Sequence, residues 1–108
     1  MEKLTDKKCI PCEGGINPLS KEEYNPYLHQ IKDWTVLEDT KIEKEFTFGD
    51  FKEALEFVNE CGRIAEEEGH HPDLFLYSWK HVRVTLYTHA IGGLSINDFI
   101  IASRIDRI

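Results

Sequence analysis

A chain of 108 residues with 41% hydrophobic, 11% aromatic and 31% charged side chains has the length of one domain and is too apolar for disorder. Thirteen Lys+Arg against twenty Asp+Glu leave a formal charge of −7, the wrong sign for holding a phosphate backbone, so no direct nucleic-acid binding is expected. No apolar run approaches the ~20 residues of a membrane helix, the charged start Met1-Glu2-Lys3-Leu4-Thr5-Asp6-Lys7-Lys8 is unlike a secretory signal, and three cysteines, an odd number, argue against a disulfide framework and for a reducing, cytoplasmic setting.

Residues 1–18 read as an N-terminal extension. They are charged at first, then run through Cys9-Ile10-Pro11-Cys12-Glu13-Gly14-Gly15 to Asn17-Pro18, too dense in loop formers for regular structure. A single domain is expected over 19–108. Ser20 and Glu23 have capping-box spacing and open a first helix, with Leu19 placed to staple onto Tyr24. Pro26 predicts that this helix is short or kinked and ends before Trp34. Trp34–Leu37 and Ile42–Phe48 read as strands joined by a turn at Glu38-Asp39-Thr40-Lys41. In the second strand Ile42, Phe46 and Phe48 share a face, so the Lys44 stem must lie among apolar neighbours or at a sheet edge.

The second helix is marked by a stripe of Phe51, Ala54, Leu55, Val58, Cys61, Ile64 and Ala65, with Asp50 and Glu53 at its start and Gly69 at its end. Leu74–Tyr77 and Val82–Thr88 are two more strands, the latter with Val82, Val84 and Leu86 facing inward and Ser78–Lys80 as the turn. His89 to Gly93 is a loop, and Ser95 with Asp98 caps a last helix whose apolar side is Ile96, Phe99, Ile100, Ala102 and Ile105. The order α-β-β-α-β-β-α with hairpin-joined strands predicts an α+β fold: a four-stranded antiparallel sheet with three helices on one face.

Histidine is the side chain best suited to proton transfer near neutrality. His70 and His71 directly follow the second helix, where its C-terminal dipole and Glu66, Glu67 and Glu68 set a negative field. His89 ends the last strand. The plain alternative is a solvated cap for His70 and His71, a surface position for His89, and a solvated face for the glutamate run. Adjacent histidines point apart in an extended segment, which is poor geometry for a metal, so none is expected there. Cys9-x-x-Cys12 has the spacing of a zinc or redox pair, but it lacks a second pair and a helix start, and Cys61 reads as core. His29 and His81 carry no such signal.

Glu66-x-x-x-His70-His71-Pro72, six residues, Trp79, nine residues, His89, eight residues, Asp98 resembles the signature of the pterin-4a-carbinolamine dehydratases. The likeness extends through Ala65 to Asp73, Val82-x-Val84-x-Leu86-x-Thr88-His89 and Gly93-Leu94-Ser95-x-x-Asp98, and covers about Leu19 to Ile105. It implies a fold like the one read above. It also implies dehydration of 4a-hydroxytetrahydropterin to quinonoid dihydropterin, which recycles the pterin of aromatic amino acid hydroxylases with no metal or redox cofactor.

By position, the resemblance makes His70 the general acid at one face of the pterin and His89 the group serving the opposite stereoisomer. His71 becomes a substrate ligand and possible base, and Glu66 an acceptor for the donor-rich pterin edge. Thr88 and Tyr87 would line the pocket through backbone groups. Asp98 would either orient His89 or simply cap the last helix. The resemblance further implies a homodimer or homotetramer and a hydroxylase partner. The alternative it leaves open is a dimerisation cofactor of the transcriptional coactivator type, which binds protein through a helical surface. An exposed apolar stripe on the second helix would favour that alternative.

Overall fold

The computed structural model describes residues 3–10 and 16–108. Helix α1, Lys21–Leu28, opens on a capping box: the Glu23 N–H donates to Ser20 Oγ at 3.3 Å and the Ser20 N–H donates to Glu23 Oε1 at 2.9 Å. It is short, with Pro26 inside it. Strands β1, Thr35–Leu37, and β2, Lys41–Thr47, pair antiparallel with Val36 opposite Ile42. Glu38 and Asp39, between them, both lie at positive φ (50° and 58°). Ser78 and Trp79, between β3 (Asp73–Tyr77) and β4 (His81–Leu86), repeat that left-handed pair at 46° and 57°. Consecutive left-handed residues match the twist of the flanking strands and make a tight hairpin.

The sheet order is β1-β2-β4-β3, antiparallel throughout. Ile42 faces Leu86 and Phe46 faces Val82, while Leu74 and Leu76 flank the same row from β3. Ile42, Val82, Val84 and Leu86 are fully buried, so β4, one of the two inner strands, faces inward as its alternation predicts. Its ladder ends at Leu86, two residues short of the expected Thr88. Helix α2, Phe51–Glu68, and α3, Ile96–Ile105, lie with α1 on the buried face. The expected α+β architecture is the one observed.

Helix α2 is rotated from the stripe read in the sequence. Its buried residues are Ala54, Phe57, Cys61, Ile64 and Ala65, whereas Phe51 and Leu55 remain 49% and 42% exposed. The reason lies on the sheet. Phe46 and Phe48 present rings to the helix, and Phe57 is the residue that meets them, at centroid distances of 4.5 and 5.0 Å. Cys61 is core as expected, and burial pushes its thiol up to about 12. Helix α3 is buried nearly all round, Asn97, Asp98 and Ser103 included. Part of its cover comes from the extension read as structureless: Leu4–Asp6 form a 3-10 turn, and Leu4 is 1% exposed in the core. Among the described residues no helix is long and apolar enough to cross a membrane.

Lys44 sits on the inward face of β2. Its ammonium lies 4.9 Å from the Phe46 ring centroid and meets Asp106 Oδ1 at 2.8 Å. The same carboxylate accepts from Trp34 Nε1 at 3.0 Å and from the Lys32 N–H at 2.9 Å, so one acidic group ties α3 to β2 and to the entry of β1. Removing either member should have unequal effects. Asp106→Ala strands a largely buried ammonium and should cost about 3 kcal/mol in urea unfolding, whereas Lys44→Met leaves Asp106 with its N–H donors and should cost about 1 kcal/mol or less.

Candidate active site

Three chain ends meet at one edge of the helical layer. Helix α2 stops at Gly69, whose φ of 66° and ψ of 28° turn the chain out of the helix. The His70 N–H still bonds the Ala65 carbonyl at 3.2 Å, and Pro72 prevents any further helix before β3 begins at Asp73. Beyond β4, Thr88 pairs with Gly93 through backbone bonds, and a 3-10 turn, His89–Ile91, closes on Gly92 at φ 65°. Helix α3 then starts behind Ser95. An open cleft of about 320 Å3 lies between these ends, with His70, His71, Pro72, Asp73, Thr88 and His89 among its walls.

Asp98 is fully buried, and its two oxygens do different work. Oδ1 pairs with His70 Nε2 at 2.6 Å. Oδ2 accepts from the Ser95 N–H at 3.0 Å and from the Thr88 hydroxyl at 2.8 Å, and that hydroxyl also meets Ser95 Oγ at 2.8 Å. The capping reading and the histidine-orienting reading of Asp98 are therefore both satisfied, one on each oxygen. The histidine, however, is His70, and the expected partnership with His89 is corrected. The side chain enters the protein from the first turn of α3, on the side where α2 ends, while His89 stands out on an exposed turn.

The ring of His89 instead packs on Tyr87, with centroids 4.0 Å apart, and Lys41 Nζ lies 4.6 Å from the Tyr87 centroid. Tyr87 thus supports His89 from behind and is not among the residues lining the cleft. Thr88 does line it, but its backbone is committed to the turn. Its N–H donates to the Gly93 carbonyl at 2.8 Å, and its carbonyl accepts from Ile91 and Gly93. The contribution of Thr88 is its hydroxyl on Asp98, a role its neighbouring position in the sequence did not disclose.

His71 and Glu66 face each other across the helix end at 2.5 Å, with side chains 62% and 79% exposed. An ion pair that open to water contributes little to stability. Within the glutamate run Glu67 is exposed, as a solvated face requires, but Glu68 is not. Glu68 is almost fully buried: one oxygen accepts the Cys9 N–H at 2.8 Å and the other pairs with Arg104 at 2.5 Å. Glu67 pairs with Arg63 at 2.7 Å. Cys9 is half-buried, while Cys12 lies outside the described residues, so the Cys9-x-x-Cys12 spacing has no geometry to report.

The chemistry of this arrangement follows from Asp98. With the carboxylate on Nε2, the His70 ring is oriented and its Nδ1 is the nitrogen left over for proton exchange. The carboxylate also offsets the positive charge that the ring gains when it holds both protons. A second imidazole, His89, and a third, His71, border the same space. Such a site can deliver and remove protons around a small planar molecule.

A family model described as pterin 4 alpha carbinolamine dehydratase matches residues 17–108. A protein of Alkaliphilus metalliredigens that carries the name pterin-4-alpha-carbinolamine dehydratase is 49% identical over 108 residues, covering 99% of this chain and 96% of the relative. One of Rubrobacter xylanophilus with the same name is 41% identical, with all of both chains covered. Among solved structures, a transcriptional coactivator/pterin dehydratase from Brucella melitensis superposes with a TM-score of 0.77 at 30% identity, covering 84% of this chain and 97% of that one.

The Asp98 network predicts its own energetics. Thr88→Val removes the hydroxyl that serves Asp98 Oδ2 and should lower unfolding stability by about 1–3 kcal/mol, whereas Thr88→Ser should restore most of it; urea denaturation of the two variants checks this.

Proposed function

The chain belongs to the pterin 4 alpha carbinolamine dehydratase family, and we propose that it converts 4a-hydroxytetrahydropterin to quinonoid dihydropterin and water. The observation that carries this reading is the convergence of His70, His71 and His89 on one cleft, with His70 backed by a buried carboxylate. In the reaction the bond from C4a to the hydroxyl oxygen breaks, the N5 proton leaves, and a carbon–nitrogen double bond forms. Water departs carrying a delivered proton. No electrons are transferred, so acid and base groups suffice and no metal or redox cofactor takes part. Each positioned acid or base contributes typically ~10²–10⁴-fold.

His70 gives its proton to the departing hydroxyl at one pterin face, with Asp98 holding the ring. His89, across the cleft on its turn, serves the hydroxyl of the opposite stereoisomer. His71 contacts the substrate and accepts the N5 proton. Glu66 takes hydrogen bonds from the amino and ring N–H groups of the pterin, exchanging its His71 contact for them. Thr88 acts through Asp98, and Tyr87 through His89. The product returns to an aromatic amino acid hydroxylase as its pterin cofactor, in the cytoplasm. Residues 19–108 form the catalytic domain and residues 1–18 an extension to it.

A second reading is favoured by one observation. Phe51 and Leu55, with half-buried Val58 in line at i, i+4 and i+7, leave an apolar stripe on the outer side of α2. In this reading the stripe is a protein-binding surface whose first occupant is a second copy of the chain, giving a homodimer or homotetramer. A heterologous protein bound there would make the chain a dimerisation cofactor of the transcriptional coactivator type, and the name of the Brucella melitensis relative includes the words transcriptional coactivator.

The catalytic reading is tested on carbinolamine generated by a hydroxylase. His70→Ala and His89→Ala should mainly lower kcat, by ~10²-fold or more; His71→Ala and Glu66→Ala should mainly raise KM; and Asp98→Asn should lower kcat at unchanged KM. A variant lacking all three histidines that still dehydrates at the parent rate would remove the proposal. For the stripe, light scattering should find an oligomeric parent and a dissociated Leu55→Glu variant; a monomeric parent would end the self-association reading.

A further inference from the structure

Residues 3–10 lie before the stretch that matches the family model, yet they are bound to the two elements that carry the His70–Asp98 pair. Leu4 anchors one end, buried in the core with its N–H donating to Gln30 Oε1 at 3.1 Å. The other end crosses the junction of α2 and α3. There the Cys9 N–H donates to Glu68, the last residue of α2 and two residues before His70. One residue on, the Ile10 backbone is gripped at both of its polar groups by Asn97: the Ile10 N–H donates to Oδ1 at 3.0 Å and Nδ2 donates to the Ile10 carbonyl at 2.6 Å. Asn97 immediately precedes Asp98.

These contacts have the form of a built clamp. Asn97 is 2% exposed, and its amide engages one residue's backbone as a neighbouring strand would. Glu68 is likewise buried and divides its oxygens between the extension and Arg104 of α3. A buried amide and a buried carboxylate are costly unless their hydrogen bonds are made, so the extension is held with a defined register and cannot slide freely. Asn97 is not among the residues that line the cleft.

We propose that residues 3–10 are a strap that fixes the end of α2 against the start of α3, and that Asn97 is thereby a positioning residue for the His70–Asp98 pair. The kinetic part rests on the dehydratase reading above; the geometric part does not. A displacement of about 1 Å between an acid and its reacting group can cost ~10²-fold in rate. A strap that holds Glu68 and Asn97 limits that displacement at the positions next to both partners.

Two variants open the clamp from opposite sides. Asn97→Ala removes the amide and leaves the α3 cap, which Ser95 and Asp98 make. Ile10→Pro removes the backbone N–H from the strap side, at a side chain 64% exposed. Both should lower kcat about 10-fold or more with KM within about twofold of the parent. Because both break one contact, the double variant should be no slower than the slower single. Proton NMR supplies a readout independent of turnover: the downfield proton held between His70 Nε2 and Asp98 should broaden or disappear in both variants. Parent-like kcat together with an unchanged resonance, or a double variant that multiplies two separate losses, would overturn the strap. A parent with no dehydratase activity would remove the functional reading alone, and the resonance would then decide. If Asn97→Ala does not fold, Ile10→Pro decides: an unchanged resonance overturns the proposal.

Discussion

Asp98 is buried away from bulk solvent, and a carboxylate in that position must find its compensation in neighbouring groups. It finds them on three different elements: the Ser95 N–H at the start of α3, the Thr88 hydroxyl just beyond β4, and the His70 ring just beyond α2. Loss of the pairing would leave a buried charge exposed to none of them. The demand for satisfaction therefore draws the ends of α2 and β4 to the first turn of α3, and the cleft is the space left where those ends meet. Cap, junction and acid–base pair are one feature of the fold.

The opposite end of the helical layer follows the same logic with the charges reversed in depth. There the buried cation is Lys44, and Asp106, just past the end of α3, pairs with it while also accepting from Trp34 Nε1 and the Lys32 N–H. Helix α3 is thus pinned at both ends by an aspartate, and along its length by apolar contacts on nearly every side. A helix held so completely can carry the carboxylate that orients the His70 ring without loosening, which is what positioning to a fraction of an ångström requires.

What the sequence disclosed and what it concealed divide along the range of the interactions. Caps, the β4 alternation and the left-handed Gly69 are set by residues a few positions apart, and Ser20, Asp50, Ser95 and Gly69 all behave as their spacing foretold. The partner of Asp98 is 28 residues away, and local spacing serves His70 and His89 equally well. The phase of α2 was misread because Phe51, Leu55 and Phe57 are alike in hydropathy, and only the rings of Phe46 and Phe48 across the interface select Phe57. Glu68 was misread for a related reason. In a run of three glutamates, only the approach of the Cys9 backbone and Arg104 distinguishes the buried one from the others. The resemblance gives Tyr87 a backbone place in the pocket, and only the packing of its ring on His89 shows where its side chain goes.

The two histidine–carboxylate contacts at the cleft look alike in distance and differ in what it takes to break them. His70–Asp98 spans 2.6 Å between a side chain 12% exposed and one wholly buried, so parting them would leave a desolvated charge. His71–Glu66 spans 2.5 Å between side chains 62% and 79% exposed, and water replaces either partner at little cost. The first pair is suited to remain intact while a ring proton passes to and from the cleft. The second is suited to open, because a ligand presenting N–H donors to Glu66 and an acceptor to His71 competes only with water and a weak ion pair. Burial alone separates a fixed pair from an exchangeable one, and on the proposed function this is what gives adjacent histidines, identical in the sequence, unlike tasks.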